Sequence, residues 1–223
     1  MTTETGLRES KKRETRQLIS DCATRLFIEQ GFERTTIAEI AAAARVAKKT
    51  VTNYFARKED LALDRYEEFT QGLARAVAGR GPAEVPLDAV SRAFRAALMA
   101  HDPAVGFTGP AFARMIADSP TLTARIRELH DLREEALAGA LADAVPQGTP
   151  PIVPRAAAAL IAAADRLVFH RIQELTLAGR ADEEIVAMLL PETDHLRALL
   201  VAADAVGDGV GGGVGDGPAD TFR

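Results

Sequence analysis

The sequence predicts an all-α protein: an N-terminal three-helix domain with a helix-turn-helix, followed by a larger helical domain. Two observations lead to this fold class. Apolar residues recur at helical spacing along most of the 223 residues, 47% of which are hydrophobic. In addition, no segment shows the strict apolar–polar alternation of a half-buried strand. We assign residues 1–60 to the first domain, 61–205 to the second, and 206–223 to a glycine-rich tail.

The first predicted helix spans residues 8–30. Its apolar face is formed by Leu18, Ile19, Cys22, Leu26 and Phe27. Gly31 follows directly, and a glycine adopts the left-handed conformation that ends a helix at little steric cost. The apolar face should pack against the two helices that follow.

The second and third predicted helices form the helix-turn-helix. Thr36 and Glu39 match a capping box, in which each side chain satisfies a backbone donor at the start of the second helix. The buried face of that helix is predicted to consist of Ile37, Ile40, Ala41 and Ala44. Val46 is expected to fill the turn, and the third helix is predicted over residues 47–54.

The third helix carries the residue types that read DNA. A helix of this size fits the major groove, where lysine, threonine and asparagine can bond to phosphates or base edges. Lys58, near the start of the next helix, is a further candidate for a phosphate contact. The predicted DNA-binding residues are Thr36, Arg45, Lys48, Lys49, Thr50, Thr52, Asn53, Tyr54 and Lys58.

Residues 35–61 resemble the DNA-binding segment of the TetR family of bacterial transcriptional regulators. The positions that carry the resemblance are Thr35, Thr36, Ile40, Ala41, Ala44, Val46, Thr50, Tyr54, Phe55, Lys58, Glu59 and Leu61. The resemblance is good over residues 10–63 and covers the remainder only in general plan. It implies a dimeric repressor that a small apolar or amphipathic ligand releases from an inverted-repeat operator in double-stranded DNA.

Two residues depart from the family pattern. Arg45 replaces the glycine of the turn, and a side chain in a left-handed turn costs roughly 1 kcal/mol. Ala47 replaces the serine that caps the third helix, and losing such a cap costs about 0.5–2 kcal/mol. These departures keep a second hypothesis open: a ligand-sequestering or protein-interaction module whose DNA-binding head has degraded.

The charge is divided unevenly along the chain. The whole protein has a net charge of -5, whereas residues 1–60 hold 12 basic and 9 acidic residues and include every lysine. A basic head on an acidic body fits a protein that meets DNA at one end. Residues Arg8, Lys11, Lys12, Arg13 and Arg16 form a basic arm. The arm suits contact with the DNA backbone or minor groove, or equally a solubilising tail.

The second domain is predicted to contain helices over residues 58–78, 87–101, 103–118, 120–145, 155–178 and 182–205. The last two of these, the eighth and ninth predicted helices, are apolar around much of their girth, which requires burial on two sides. The family resemblance implies that they form a homodimer interface. The alternative is a single large monomeric bundle.

A small-molecule effector pocket is predicted in the second domain, again by resemblance. Its candidate lining is Phe94, Leu98, Met99, Phe107, Phe112, Met115, Ile126, His130, Asp165 and Phe169. Phenylalanine and methionine together favour an adaptable apolar cavity. Asp165 is expected either to orient a ligand or to pair with Arg166, Arg171 or His170.

The sequence offers no support for an enzyme. Its four histidines are scattered, Cys22 has no partner, and no phosphate-binding glycine loop or nucleophile elbow is present. We therefore expect no cofactor and no metal. We also find no signal peptide and no membrane-spanning run, so we expect a cytoplasmic protein.

Overall fold

The computed structural model describes the backbone of residues 2–210 and the side chains of residues 8–202. The predicted all-α fold is confirmed, because within those ranges the chain contains helices and loops and no strand. The α-helices of this part are α1 Thr2–Gln30, α2 Ile37–Ala43, α3 Lys48–Tyr54, α4 Glu59–Ala62, α5 Tyr66–Ala78, α6 Pro86–Met99, α7 Pro110–Ala117, α8 Pro120–Ala142, α9 Ile152–Leu177 and α10 Asp182–Val210, with a 3-10 turn at Pro103–Val105.

Helices α1 to α4 form the head of the molecule. Ile19, Cys22 and Phe27 of α1 are buried against α2, α3 and α4, whereas Leu18, predicted on the same face, is 49% exposed. Gly31 has a φ of 91° and ends α1, as predicted. Phe32 then folds back so that its ring centroid lies 4.8 Å from that of Phe27.

The prediction of one continuous helix over residues 58–78 was wrong. The chain breaks at residues 63–65, between α4 and α5. Side chains of α1 bond to the carbonyls of this break: the Ser20 hydroxyl donates to Leu61 O at 2.9 Å and Arg16 Nη2 donates to Asp64 O at 3.4 Å. These bonds satisfy acceptors that an uninterrupted helix would use internally, and they anchor the turn to the head.

The body is built around α5, α8 and α9, with α6 and α10 on the outside. One apolar core lies among α5, α6, α8 and α9, and a second among α6, α9 and α10. Gly106 lets the loop before α7 approach α9 closely. A Cβ at this position would lie 3.1 Å from both Phe169 O and Ile172 Cβ, and its φ of 122° also favours glycine.

Head and body share side chains across their junction. Met115 of α7 and Leu122 of α8 belong to the same buried cluster as the core of the head. Arg125 of α8 pairs with Asp60 of α4 at 3.0 Å, and both side chains are largely buried. Motion of the body is therefore mechanically linked to the head.

Proline and serine fix several helix starts. α6, α7 and α8 each have proline in the first turn, where its missing N–H is harmless. Ser119 caps α8 by accepting from Leu122 N at 3.1 Å. Pro191, expected to kink or split the last helix, lies inside α10, which is one helix from Asp182 to Val210. The backbone of residues 206–210 belongs to α10, and residues 211–223 of the expected tail lie outside the described residues.

Candidate nucleic-acid interface and ligand cavity

The capping box at the start of α2 is present as predicted. Glu39 N donates to Thr36 Oγ1 at 3.3 Å, and Thr36 N donates to a Glu39 carboxylate oxygen at 2.8 Å. Hydrogen bonds from the Thr36 backbone and hydroxyl lower the pKa of Glu39. The Thr36 side chain is thus engaged in holding α2 in place, although it remains exposed.

The turn between α2 and α3 accommodates Arg45 in the position of the family's glycine. Arg45 has a φ of 54°, in the left-handed region, and its backbone N–H donates to Ala42 O at 3.1 Å. Val46 N donates to Ala41 O at 2.9 Å. The turn geometry is therefore retained, and the Arg45 side chain is exposed next to α3.

α3 begins at Lys48 without a side-chain cap, since Ala47 has none to offer. The helix is held instead by its buried face: Val51 is fully buried and Phe55, directly after the helix, is 4% exposed. Tertiary packing thus replaces the capping hydrogen bond in fixing where α3 lies.

The outward face of α3 carries Lys48, Lys49, Thr52 and Asn53, all exposed. Thr50 and Tyr54 are half-buried at its edges. The Thr52 hydroxyl donates to Lys49 O at 3.1 Å, which leaves its methyl group and the hydroxyl's acceptor capacity for a partner. We call these four exposed residues the α3 face. Two cations and two short polar side chains on one helical surface suit phosphate and base contact.

Two predicted basic contacts have internal partners instead. Lys58 Nζ donates to Phe32 O at 2.5 Å and lies 4.4 Å from the centroid of the Phe32 ring. Burial lowers the pKa of Lys58, against the raising effect of nearby glutamates. Arg16, assigned to the basic arm, donates to Tyr54 O at 2.8 Å and lies over the Phe55 ring. Both cations brace the head, and contact of either one with DNA stays a prediction.

The remaining basic residues of the arm, Arg8, Lys11, Lys12 and Arg13, are exposed on the first turns of α1. The arm is helical from Thr2 onward, six residues earlier than the sequence predicted. A helical arm presents these charges at fixed positions relative to the rest of the head.

Residues 19–64 match the family model described as "Bacterial regulatory proteins, tetR family". This segment contains the capping box, the turn at Arg45 and the whole of α3. Residues 19–64 are therefore similar to the corresponding segment of TetR-family regulators.

A curated relative is similar to part of the chain. The chain is 41% identical over 93 residues to the HTH-type transcriptional regulator TcmR of Streptomyces glaucescens, over 42% of this chain and 41% of that protein. The chain therefore matches less than half the length of this relative.

Solved structures share the fold over most of the chain. NalD of Pseudomonas aeruginosa, described as the secondary repressor of the MexAB-OprM multidrug efflux pump, has a TM-score of 0.52 at 17% identity, covering 83% of this chain and 96% of NalD. Salmonella enterica GusR has a TM-score of 0.52 at 18% identity, covering 85% of this chain and 94% of GusR. At such identities the likeness concerns the fold alone.

An open cleft of about 610 Å³ lies between head and body. We call it the head–body cleft. One side is formed by α1 and the start of α5, the other by α7, α8, α9 and the 3-10 turn. Three of the ten predicted ligand-binding residues line it: Phe112, Ile126 and Phe169.

The other predicted lining residues lie elsewhere. Phe94 and Asp165 line a smaller cavity of about 200 Å³ among α6, α9 and α10, and Met115 lines a depression beside the end of α1. Leu98 and Phe107 are buried in the apolar core. Met99 is 63% exposed and lies in none of these three cavities, so its role as a lining residue stays a prediction.

Asp165 and His130 occupy the buried centre of the body. The Asp165 carboxylate bonds to Arg133 of α8, a partner that the sequence did not suggest in place of Arg166, Arg171 or His170. The centroid of the His130 ring lies 5.0 Å from that of Phe69 and 5.1 Å from that of Phe169, and both pairs of rings are nearly edge-on. Burial lowers the pKa of His130 to about 3, and the nearby charges of Arg133, Arg166 and His170 act in the same direction.

The contribution of α1 to the head–body cleft was missed at the sequence level. Gln17, Asp21, Thr24 and Ile28 follow one another at helical spacing and all line the cleft. The available signal was Ile28, a large apolar residue on an otherwise polar face, which is 43% exposed.

Among the side chains that the structure describes, those of residues 8–202, no group of histidine, cysteine, aspartate and glutamate has an arrangement that could hold a metal ion. Among the helices of residues 2–210, none has both the length and the apolar character needed to cross a membrane.

Proposed function

We propose that this protein is a sequence-specific transcriptional regulator, a dimeric repressor that leaves its inverted-repeat operator when a small apolar or amphipathic ligand binds. The proposal follows from the similarity of residues 19–64 to the TetR family model and from the residues around α3. It concerns the whole protein, whereas the match to the curated relative covers 42% of this chain and 41% of that relative. Its site of action would be the cytoplasm, where bacterial DNA lies.

The observation that carries the proposal is the α3 face. Lys48, Lys49, Thr52 and Asn53 are exposed together, while the opposite side of the helix is fixed by Val51. Long cationic side chains reach phosphates, and short polar side chains on the same face can bond to base edges. Sequence-specific binding in the major groove requires both kinds of contact, to phosphates and to base edges.

Exposed leucines on the last two helices support the dimer. Leu160 and Leu167 of α9 are 51% and 64% exposed, and Leu199 of α10 is 67% exposed. Other apolar residues of the same two helices, such as Ile172 and Ile185, are fully buried inside the body. A helix that is apolar on two opposite sides must be buried on both. A second copy of the chain would bury the side that the body leaves exposed. Two α3 faces would then match a two-fold symmetric operator.

The alternative, a sequestering or interaction module with a degraded head, is not favoured. The two departures that motivated it leave the local geometry intact: Arg45 adopts the turn conformation, and α3 begins directly after Ala47. The exposed Arg45 side chain is also available for a phosphate.

Selection of bound sequences from a random DNA pool tests the proposal, followed by affinity measurement on the selected sequence at two salt concentrations. We expect an enriched inverted repeat, bound tightly and with strong salt dependence. Absence of any enriched sequence, with only weak salt-sensitive binding, would overturn sequence-specific regulation and return attention to the alternative. A ligand that lowers the affinity for the selected operator would support release.

A further inference from the structure

The head–body cleft differs from a cavity enclosed within the body because the head forms one of its walls. Thr24 and Ile28 of α1 line it, as does Leu63 in the turn between α4 and α5. On the opposite side lie Phe112 of α7 and Ile126 of α8. A molecule in the cleft therefore touches both parts of the protein at once.

The inner surface of the cleft is rich in aromatic side chains. The chain has nine phenylalanines and two tyrosines, and Tyr66, Phe69, Phe112 and Phe169 all line this one space. Tyr66, Phe69 and Phe112 are only half-buried. Partly exposed rings around a volume of about 610 Å³ favour a flat, drug-sized aromatic molecule.

The rim of the cleft is more acidic than basic. Asp21, Glu29, Asp64 and Glu68 face two arginines, Arg25 and Arg65. Arg65 is already engaged with Glu68, at 2.5 Å, and lies 3.9 Å from Asp102. Among the described residues, Asp21, Glu29 and Asp64 form no salt bridge. Such a rim attracts cations and repels carboxylates.

We propose that the head–body cleft binds a neutral or cationic aromatic small molecule, held by α1 and the start of α5 on one side and by α7, α8 and α9 on the other. The role of this molecule as an effector rests on the proposed function. The site itself rests on the volume, the aromatic lining and the rim charge of the cleft. Anionic amphiphiles are excluded as its preferred ligands.

The position of the cleft explains how a ligand bound there affects the α3 face. α1 packs on α2, α2 packs on α3, and Arg16 of α1 bonds to the carbonyl of Tyr54 at the end of α3. On the other side, Phe69 lines the cleft while its carbonyl accepts from Arg133 in the centre of the body. A ligand that separates or clamps the two walls changes the angle between head and body directly.

Two dyes with the same xanthene skeleton test the chemical class: rhodamine 6G, a cation, and fluorescein, an anion at neutral pH. Binding to the full-length protein is followed by fluorescence polarisation without DNA. We expect one rhodamine 6G per chain and at least tenfold weaker binding of fluorescein. Equal binding of both dyes, or no binding of rhodamine 6G, would overturn the proposal.

Matched substitutions test the location. Ile28→Lys places a cation inside the cleft, whereas Leu18→Lys changes a similarly exposed apolar residue of α1 outside it. Phe112→Ala removes a ring from the cleft, and Phe94→Ala removes one from the smaller cavity. We expect the cleft variants to weaken rhodamine 6G binding at least tenfold and the control variants less than twofold, with thermal unfolding confirming that each variant folds. Equal effects of cleft and control variants would place the dye elsewhere and refute the site.

Operator binding separates this proposal from the proposed function. If rhodamine 6G binds as expected but no operator can be selected, the cleft site stands and the regulatory function fails. If an operator is selected and the cleft variants leave dye binding unchanged, the regulator stands and the cleft assignment fails.

Discussion

Arg133 of α8 and Asp165 of α9 form a buried ion pair in which Arg133 Nη2 donates to Asp165 Oδ1 at 3.0 Å. Arg133 Nε lies 3.0 Å from the other carboxylate oxygen but is not aligned for a hydrogen bond. The same guanidinium donates to Phe69 O and lies 4.7 Å from the centroid of the Phe69 ring. One arginine therefore joins α5, α8 and α9 where the wall of the head–body cleft meets the core.

Removing one member of this pair should strongly destabilise the protein. Asp165→Ala leaves the Arg133 charge buried without its carboxylate, and we expect a loss of about 3–5 kcal/mol in the free energy of unfolding, measured by urea denaturation. The control is Asp131→Ala, because the Asp131 side chain is 76% exposed and lies 3.5 Å from Arg166. That change should cost about 1 kcal/mol or less. Similar losses in the two variants would show that the buried Arg133–Asp165 pair contributes no more to the free energy of unfolding than an exposed pair does.

The partner of Asp165 illustrates what sequence could not predict. Residues 165 and 133 lie on different helices, and their contact depends on how α8 and α9 pack. The sequence suggested only neighbours along the same helix. By contrast, the capping box of Thr36 and the end of α1 at Gly31 were predicted correctly, because their hydrogen bonds or backbone conformation involve residues within a few positions of one another.

The same reasoning explains why the internal partner of Lys58 was not predicted. A lysine near the start of a helix has the same sequence pattern whether its ammonium meets a phosphate or a carbonyl 26 residues away. The break between α4 and α5 was missed for the related reason that Ser20 and Arg16, which bond to its carbonyls, lie far back in α1. The α3 face depends on local periodicity alone and could be predicted.

Neutralising the cations of the α3 face should weaken DNA binding at every sequence. For Lys48→Ala with Lys49→Ala we expect lower operator affinity and a salt slope reduced by about 2, since each phosphate contact contributes roughly 0.9. Affinity measured across a range of salt concentrations gives this slope. The control is Arg171→Ala with Arg180→Ala, which removes two exposed charges from the body. An unchanged slope in the α3 variant would refute the contact.

Restoring the family residues at the turn should stabilise the head. Arg45 has a φ of 54°, so Arg45→Gly relieves strain of roughly 1 kcal/mol. Ala47 makes no capping bond, so Ala47→Ser should add about 0.5–2 kcal/mol. Urea denaturation measures both effects, and Arg45→Ala is the control that removes the side chain but keeps the strain. A stability gain in Arg45→Gly together with weaker operator binding in both Arg45 variants would identify a DNA contact.

A charge on the outer face of α9 should disrupt the dimer. Leu167 is 64% exposed, and Leu167→Glu would bury a carboxylate in the proposed interface between two copies. We expect the molar mass from light scattering to fall from that of a dimer to that of a monomer, with loss of tight operator binding. Leu132→Glu is the control, since Leu132 is 45% exposed on α8. A dimer that survives the Leu167 change would argue against this interface.

His130 should make stability fall with decreasing pH. Its ring is 2% exposed, and Nε2 has no hydrogen-bond partner. Burial lowers the pKa of His130 from 6.5 to about 3, so between these values the unfolded chain binds a proton that the folded protein excludes. Stability contributed by the neutral ring is therefore complete above pH 6.5 and is lost as the pH falls toward 3. At about 1.4 kcal/mol per pH unit, this one group should lower stability by about 2 kcal/mol between pH 7 and pH 5.

The histidine is tested by comparing the pH dependence of variants rather than their absolute stability. His130→Leu removes the titrating group, so its free energy of unfolding should fall by about 2 kcal/mol less than that of the wild type between pH 7 and pH 5. His195→Leu, which alters an exposed histidine of α10, should keep the wild-type dependence. Urea denaturation at one protein concentration is required, because the proposed dimerisation would make stability depend on concentration. Identical pH dependence in all three proteins would mean that the ring takes up its proton without unfolding, and the tight packing of His130 between Phe69 and Phe169 would then have to open in the folded state.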